Sequence, residues 1–286
     1  METVKSIEKR DEISYQEFVD EYLKKRIPVV FKNATSAWKS NTIFTPEFFR
    51  EKFGNHKSWL DGVEYTMAEI LEITANSTPE NPAPYPIFFE VAKQIPELME
   101  MFQPIDMNFS YPNWFRSNIL PYGKFGNNIQ LFIGGKGNQY RLHKDLYHTN
   151  AWITQLYGEK KFVIFYGEEQ DEYLYAGKDE FFSPINIAAP DYEKYPKYKN
   201  ATPLEVTLQP GETIFIPNGV WHTTIAYGHN ISLIYDQLNG TNFSAWKKDL
   251  YDFTKNQGTL KAMAIYAWAV SVGAVCKLAA LTGKKF

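Results

Sequence analysis

YRLHKDLYHTNAWITQLYGEKKFVIF, residues 140–165, is the stretch whose reading decides the fold. AWITQLY and KKFVIF are short, rich in β-branched and aromatic side chains, and parted by a Gly-Glu turn, so they read as successive strands. Ahead of them, His143 and Asp145 stand two residues apart in YRLHKD. In an extended strand side chains alternate faces, so both point the same way. An imidazole and a carboxylate converging on one point make half of a metal site. The second imidazole expected from a distant strand is His222, inside PGETIFIPNGVWHTTI. Two imidazoles and a carboxylate on one side of an ion leave its other positions open, the arrangement that suits non-haem Fe(II) and O2 chemistry. The absence of thiolate disfavours structural zinc, although Zn, Mn or Ni fit the same ligands.

Working outward from this stretch, the chain continues as short strands parted by turn clusters. Around YRLHKD, AWITQLYG and KKFVIFYG come IQLFIGG before and LEVTLQPG, ETIFIP, WHTTIAYG and NISLIYDQL after. That spacing predicts an antiparallel barrel or sandwich. The expected fold is mainly β with flanking helices, a double-stranded β-helix of the jelly-roll kind. Between Phe165 and Leu204 lies a polar insertion rich in Tyr and Pro, expected outside the barrel near its mouth, where it covers substrate.

The N-terminal third reads as a wrapper of helices and edge strands. SYQEFVDEYLKK, residues 14–25, sets Phe18, Val19, Tyr22 and Leu23 at helical spacing behind a capping serine. Thr45-Pro46-Glu47 opens a second helix, with Thr at the cap and Pro at the first position, that Gly54 stops. A third helix is expected from Met67 to Ala75, and residues 110–127 read as a long loop. The organisation expected is an N-terminal segment 1–125, a β core 126–240 and a helical C-terminal segment 241–286. Within the last, LKAMAIYAWAVSVGAVCKLAAL keeps only Ser271 polar between Lys261 and Lys277. This run is short for a membrane span, which needs ~20 residues, and suits a fully buried helix. An apolar helix needs a partner surface, so a homodimer through the C-terminal helices is expected ahead of a tail anchor.

Composition narrows the partners. With 30 basic and 33 acidic residues the net charge is −3, so no global field recruits nucleic acid or an anionic membrane. The single cysteine, Cys276, rules out an internal disulfide and a Cys-based zinc module. The N-terminal METVKSIEKRDEISYQEF lacks the apolar core of a signal peptide. A soluble, cytoplasmic protein is expected.

HKD, then GEKKFVIF after a spacer, then LQPGETIFIPNGVWH together resemble the JmjC and cupin-like family of Fe(II)- and 2-oxoglutarate-dependent oxygenases, nearest in motif to its hydroxylase branches. YLKKRIPVVFKNATSAWK and FTPEFFREKFG resemble the opening segment of these proteins, so the likeness covers roughly residues 13–240. The combination HxD with a downstream PGE and WH is specific, whereas HxD alone is weak. The resemblance implies that His143, Asp145 and His222 bind Fe(II). It implies that Lys160, heading one face of KKFVIF while Lys161 heads the other, turns inward and pairs with the distal carboxylate of 2-oxoglutarate. A buried ammonium without such an anion would be costly, so inward Lys160 and the ligand stand together. The implied reaction is oxidative decarboxylation of the cosubstrate coupled to hydroxylation of a C–H bond. The absence of a basic patch favours a polypeptide or small-molecule substrate over nucleic acid.

The chain also departs from the family pattern. Tyr140 stands where relatives commonly have Thr, and its hydroxyl can donate to the same carboxylate. Ile153 replaces an Asn, and Ile234 falls where many relatives have Asn or Thr. Relatives often place a tyrosine in the strand corresponding to PYPIFFE. Here the register offers Ile87 or Phe88 with Tyr85 nearby, and a buried aromatic strand is the reading preferred. Thr149 and Asn150 are close enough in sequence to contribute hydrogen bonds, though such residues beside a bend are often turn-formers. His148 and His229 read as surface or turn histidines, His148 also as a rim residue, and Trp221 as packing. The competing readings are a metal-binding cupin enzyme that needs no cosubstrate, and a non-catalytic interaction module.

Overall fold

The computed structural model describes residues 6–40, 43–177 and 180–282. Twelve strands occur among them in chain order: β1 Glu8–Arg10, β2 Val29–Phe31, β3 Lys57–Leu60, β4 Val63–Thr66, β5 Ile87–Glu90, β6 Ile129–Gly134, β7 Asn150–Tyr157, β8 Lys160–Phe165, β9 Pro203–Leu208, β10 Thr213–Ile216, β11 Trp221–Ala226 and β12 Asn230–Gln237. A seven-stranded sheet runs β1-β2-β10-β7-β12-β6-β5, and a three-stranded sheet runs β11-β8-β9. β3 and β4 form a separate hairpin. Apart from the parallel pair β1–β2, neighbours in these sheets are antiparallel. The mainly β jelly-roll expected from the sequence is present, as two sheets facing one another without closing into a barrel.

Alternation along the strands explains the packing. Ala151, Ile153, Ile214 and Ile216 of the large sheet meet Phe162, Ile164 and Leu208 of the small one to form the inner core. Their neighbours Trp152, Phe215, Leu233 and Tyr235 face the other way, against Phe18, Phe31 and Phe109. β7 is therefore covered on both faces, which is why NAWITQLY lacks a solvated side. β1, β2 and β5, all from the N-terminal third, hydrogen-bond into the large sheet and extend it at both edges.

The N-terminal helices start where their caps stand. Thr45 Oγ1 accepts from the Phe48 amide at 3.2 Å, with Pro46 in the first turn of Pro46–Phe53. Thr66 and Glu69 form a reciprocal capping box at Met67–Ala75. Helix begins after Ser14 too, and loosens into a wider turn over Phe18–Leu23 that buries Phe18, Tyr22 and Leu23.

Two expectations need correction. YRLHKD is not a strand: it touches β11 through bridges Gln139↔Ile225 and His143↔His222, so the chain advances four residues against three on its partner. The extra residue is a bulge that ends the ladder and re-aims the segment before Asp145. The C-terminal helix, Thr259–Leu281, is not fully buried: only Ala262, Ala269, Val272, Gly273 and Cys276 are. Leu260, Met263, Tyr266, Val270, Val275, Leu278 and Leu281 stay exposed because the helix is covered on one side only, by Phe243–Lys255 and by Trp114, Phe115 and Phe125. At 23 residues it is long and apolar enough to cross a membrane, by length and composition.

The insertion after β8 lies on the outer face of the small sheet, where Leu174, Ile185 and Tyr198 pack on Val163, Phe165 and Trp221. Its Phe182 reaches back to bridge His143 and lines the cavity between the sheets.

Candidate metal centre

Between the facing sheets lies a cavity of about 260 Å³. His222 enters it from β11, opposite Ile164 of β8, and the bulged segment delivers His143 and Asp145 alongside. Asp145 Oδ1 lies 3.7 Å from His143 Nε2 and 3.8 Å from His222 Nε2. One ligand atom from each residue falls within 4.8 Å of the others. An ion with bonds of roughly 2.0–2.2 Å spans such separations.

The imidazoles are oriented for this. His143 Nδ1 lies 2.9 Å from the Arg141 carbonyl and 3.1 Å from that of His222, and His222 Nδ1 lies 3.1 Å from the Val220 carbonyl. These acceptors put the proton on Nδ1 and leave each Nε2 lone pair facing Asp145. Burial lowers His222 to about 4 and His143 well below the ordinary histidine value, so both rings are neutral donors. Burial also pushes the Asp145 carboxyl up to about 7. Two neutral imidazoles and a carboxylate short of a cation are the donor set a divalent metal fits.

Lys160 lines the same cavity, and it is 3 % exposed. Its Nζ donates to Ser232 Oγ at 3.0 Å, and Ser232 donates to Gln155 Oε1 at 2.8 Å. With no carboxylate beside it among the described residues, burial lowers the ammonium to about 7. Lys161, on the opposite face, pairs with Glu205 at 2.7 Å. Tyr85 lies half-buried across the cavity, its ring centre 5.9 Å from Lys160 Nζ and its hydroxyl bonded to Thr224. Tyr85 is thus the aromatic hydroxyl on this wall, while Ile87 points into the outer core and Phe88 lines the cavity.

A family model described as a cupin-like domain matches residues 60–238, more than half of the chain. The chain belongs to the cupin-like domain family. Among curated proteins, this cupin-like chain is 25% identical over 273 residues to an arginine-specific demethylase, JMJ20, of Arabidopsis thaliana, covering 84% of this chain and 58% of that one. It is 31% identical over 117 residues to the 2-oxoglutarate and iron-dependent oxygenase JMJD4 of Gallus gallus, covering 39% and 27%. It is 32% identical over 105 residues to the human HSPB1-associated protein 1, covering 35% and 21%. The chain thus spans little more than half the length of the relatives it matches, or less.

Within this cupin-like domain the remaining candidates separate. Tyr140 lines the cavity, its ring 4.6 Å from that of His143 and 6.2 Å from that of Tyr85. Thr149 lines it as well, donating to Asp236 Oδ1 at 3.0 Å. Asn150 does not: its Oδ1 accepts from Asn218 and its Nδ2 donates to Gln237, so it ties the corner after β10 to β12. Ile153 and Ile234 are paired across β7 and β12 and form an apolar cavity wall. Trp221 packs in the outer core and donates to Asp171 at 2.6 Å. His148 is no free surface residue, since its Nδ1 meets Asp249 Oδ2 at 2.7 Å, and His229 contacts Thr74 Oγ1 at 3.1 Å.

Sequence reasoning passed over Ser232, Gln155 and Asp236. Period two from Ile234 puts Ser232 and Asp236 on the same inward face of β12, the one signal that marks them. Asp236 is 7% exposed, lines the cavity, and is pushed up to about 7 by burial and by Asp145.

Proposed function

We propose that the protein is an Fe(II)- and 2-oxoglutarate-dependent oxygenase that hydroxylates a protein side chain or a small molecule. The observation that carries this reading is the buried Lys160, a cation in the metal cavity with no carboxylate partner among the described residues. Opposite Lys160 on β11 is Ala226, while His222 lies opposite Ile164, four residues further along β8. At ~3.3 Å per residue the cation and the metal ligands are roughly 13 Å apart along the strand, less where side chains converge. A dicarboxylate of 2-oxoglutarate's length bridges that gap, one end at the metal and the other at the ammonium.

His143, Asp145 and His222 would hold the metal on one side. Lys160, kept in place by Ser232 and Gln155, would bind the distal carboxylate, with the Tyr85 and Thr224 hydroxyls nearby. Ile153, Phe162 and Ile234 exclude water from the cosubstrate chain. Iron(II) with O2 supplies oxidative decarboxylation of the 2-oxo acid coupled to C–H hydroxylation; the protein supplies orientation. The relatives named as arginine-specific demethylase and as 2-oxoglutarate and iron-dependent oxygenase support this class. Loss of an N-methyl group also begins with hydroxylation of its carbon, so both outcomes use one site.

The apolar pair Ile153 and Ile234, in place of polar cosubstrate contacts, favours the competing reading of a metal-binding cupin without cosubstrate. Anaerobic titration with Fe(II) and 2-oxoglutarate separates the two. The weak visible charge-transfer band is expected; metal bound at the three ligands with no band on adding the 2-oxo acid would overturn the proposal. Two further expectations belong to it: a cytoplasmic setting, supported by the single cysteine, and pairing of two copies through the exposed apolar face of Thr259–Leu281.

A further inference from the structure

Metal ligands are only as well placed as the backbone that carries them, and here two of the three sit on irregular backbone. His143 and Asp145 belong to the bulged segment beside β11, where no regular ladder fixes how the chain is turned about its own axis. On one side the His143 amide donates to the His222 carbonyl at 3.0 Å and the His222 amide to the His143 carbonyl at 2.8 Å. On the other side the partner is the insertion after β8. The Lys144 amide donates to the Phe181 carbonyl at 2.8 Å, and the Ser183 amide to the Leu142 carbonyl at 3.0 Å. The insertion thereby extends the small sheet past the ligands.

The same insertion holds a side chain to the back of this segment. Lys144, between the two ligands, is 7 % exposed, and its Nζ lies 2.6 Å from Asp171 Oδ1 and 4.9 Å from the centre of the Trp221 ring. That Oδ1 also accepts from Trp221 Nε1 at 2.6 Å, and Trp221 immediately precedes His222 on β11. One carboxylate oxygen therefore joins the residue between His143 and Asp145 to the residue before His222. Asp171 is itself anchored: it stands on the short helix Gln170–Tyr173, whose buried Gln170 donates to Thr202 Oγ1 at 3.0 Å and accepts from the Thr202 amide at 3.3 Å. A buried ammonium needs an anion, and among the described residues Asp171 is the carboxylate paired with Lys144. Neighbouring side chains of an extended segment point to opposite sides, so fixing Lys144 outward turns His143 and Asp145 inward. Fixing Trp221 outward does the same for His222.

We propose that Asp171 is a positioning residue of the metal centre, holding the three ligands in register from the outer face of the small sheet. It acts through Lys144 and Trp221 and touches neither metal nor substrate. Through Asp171 the insertion serves the site from the side away from the cavity. The inference rests on the metal centre formed by His143, Asp145 and His222, and it holds for any cosubstrate or substrate the cavity takes.

The test uses the full chain and two metals: Mn(II), with free ion counted by electron paramagnetic resonance to give the affinity, and Co(II), whose visible bands report ligand geometry. Both are read at a temperature where circular dichroism shows each variant folded. In Asp171→Ala, Mn(II) affinity is expected to fall roughly tenfold or more, with the Co(II) bands changed in position or intensity. A role confined to stability would lower the unfolding temperature and leave affinity and bands as in the native protein; that result overturns the proposal. Asp171→Asn keeps an oxygen for Trp221 and removes the charge that holds Lys144, so a smaller loss in the same direction is expected. Should Asp171→Ala not fold, native affinity in Asp171→Asn overturns the assignment by itself. The next residue, Glu172, pairs with Lys197 at 2.8 Å within the insertion, and Glu172→Ala is expected to keep native affinity. An equal loss there would mean that any loosening of the insertion suffices, and would overturn the role of Asp171. If the native protein binds no Mn(II), the metal centre itself fails and takes the inference with it; native binding with unaltered variants removes the positioning role alone.

Discussion

The Lys160 ammonium on the three-stranded sheet donates to the Ser232 hydroxyl on the seven-stranded sheet at 3.0 Å, and Ser232 hands the contact on to Gln155 at 2.8 Å. The cation is thus held in place before any anion arrives, which cuts the ordering cost of binding one. Lys160→Met keeps the stem and removes the charge. A charge-assisted hydrogen bond contributes about 1.5–3 kcal/mol. The 2-oxoglutarate dissociation constant, measured by calorimetry on the Mn(II) protein, is therefore expected to rise by roughly 10- to 150-fold, with Mn(II) affinity unchanged.

The lowered Lys160 ammonium, at about 7, makes cosubstrate binding pH-dependent. Above that pH the empty site holds a neutral amine, and pairing with a carboxylate favours the charged form, so binding takes up a proton. Below it the ammonium is already formed and no proton is needed. Affinity is expected to fall by up to about tenfold per pH unit above 7, or 1.4 kcal/mol. Calorimetry in buffers of different ionisation enthalpy at pH 8 should show the uptake, and Lys160→Met should lose it. An uptake that persists in the variant would place the proton elsewhere.

Asp145→Ala removes the carboxylate that faces both Nε2 atoms. A ligand that binds only the native state at 100 times its dissociation constant stabilises it by about 2.7 kcal/mol. Mn(II) is expected to raise the thermal midpoint of the native protein accordingly and to leave Asp145→Ala unmoved. A matching rise in the variant would show that the ion sits elsewhere.

Gly273 lies where the two C-terminal helices touch, and a Cβ built there would stand 2.2 Å from Phe243 Cζ. Gly273→Val should therefore displace Phe243 from its contacts with Trp114 and Trp246. The expected cost is about 1–3 kcal/mol in chemical denaturation. Unchanged stability would mean the helix can slide.

Val270 and Leu278, exposed at 44% and 65%, test the pairing of two copies. Sedimentation of the native protein without detergent is expected to give a dimer, and Val270→Glu with Leu278→Glu a monomer. A sharp monomer for the native chain removes the dimer, and recovery only with lipid or detergent would assign the face to a membrane.

Much of this molecule is local in origin, and was legible for that reason. Thr45, Thr66 and Ser14 begin their helices by satisfying amides within three residues. The strands from Ile129 onward follow from β-branched and aromatic runs cut by turns. His143, Asp145 and His222 were readable as a set because their types are rare together and their chemistry is specific; period two says only that one of Lys160 and Lys161 turns inward, and the family resemblance pointed to Lys160. What needed the tertiary structure was every relation between distant surfaces. Alternation says that Asp236 shares a face with Ser232, but not that the face looks onto Asp145; only the meeting of two sheets decides that. The bulge before Asp145 exists because that segment must follow β11 and then leave it, a demand no local propensity encodes. An apolar helix reads the same whether neighbours cover one side or all, so the exposure of Thr259–Leu281 was settled by how much surface Phe243–Lys255 and the segment holding Trp114, Phe115 and Phe125 could offer it.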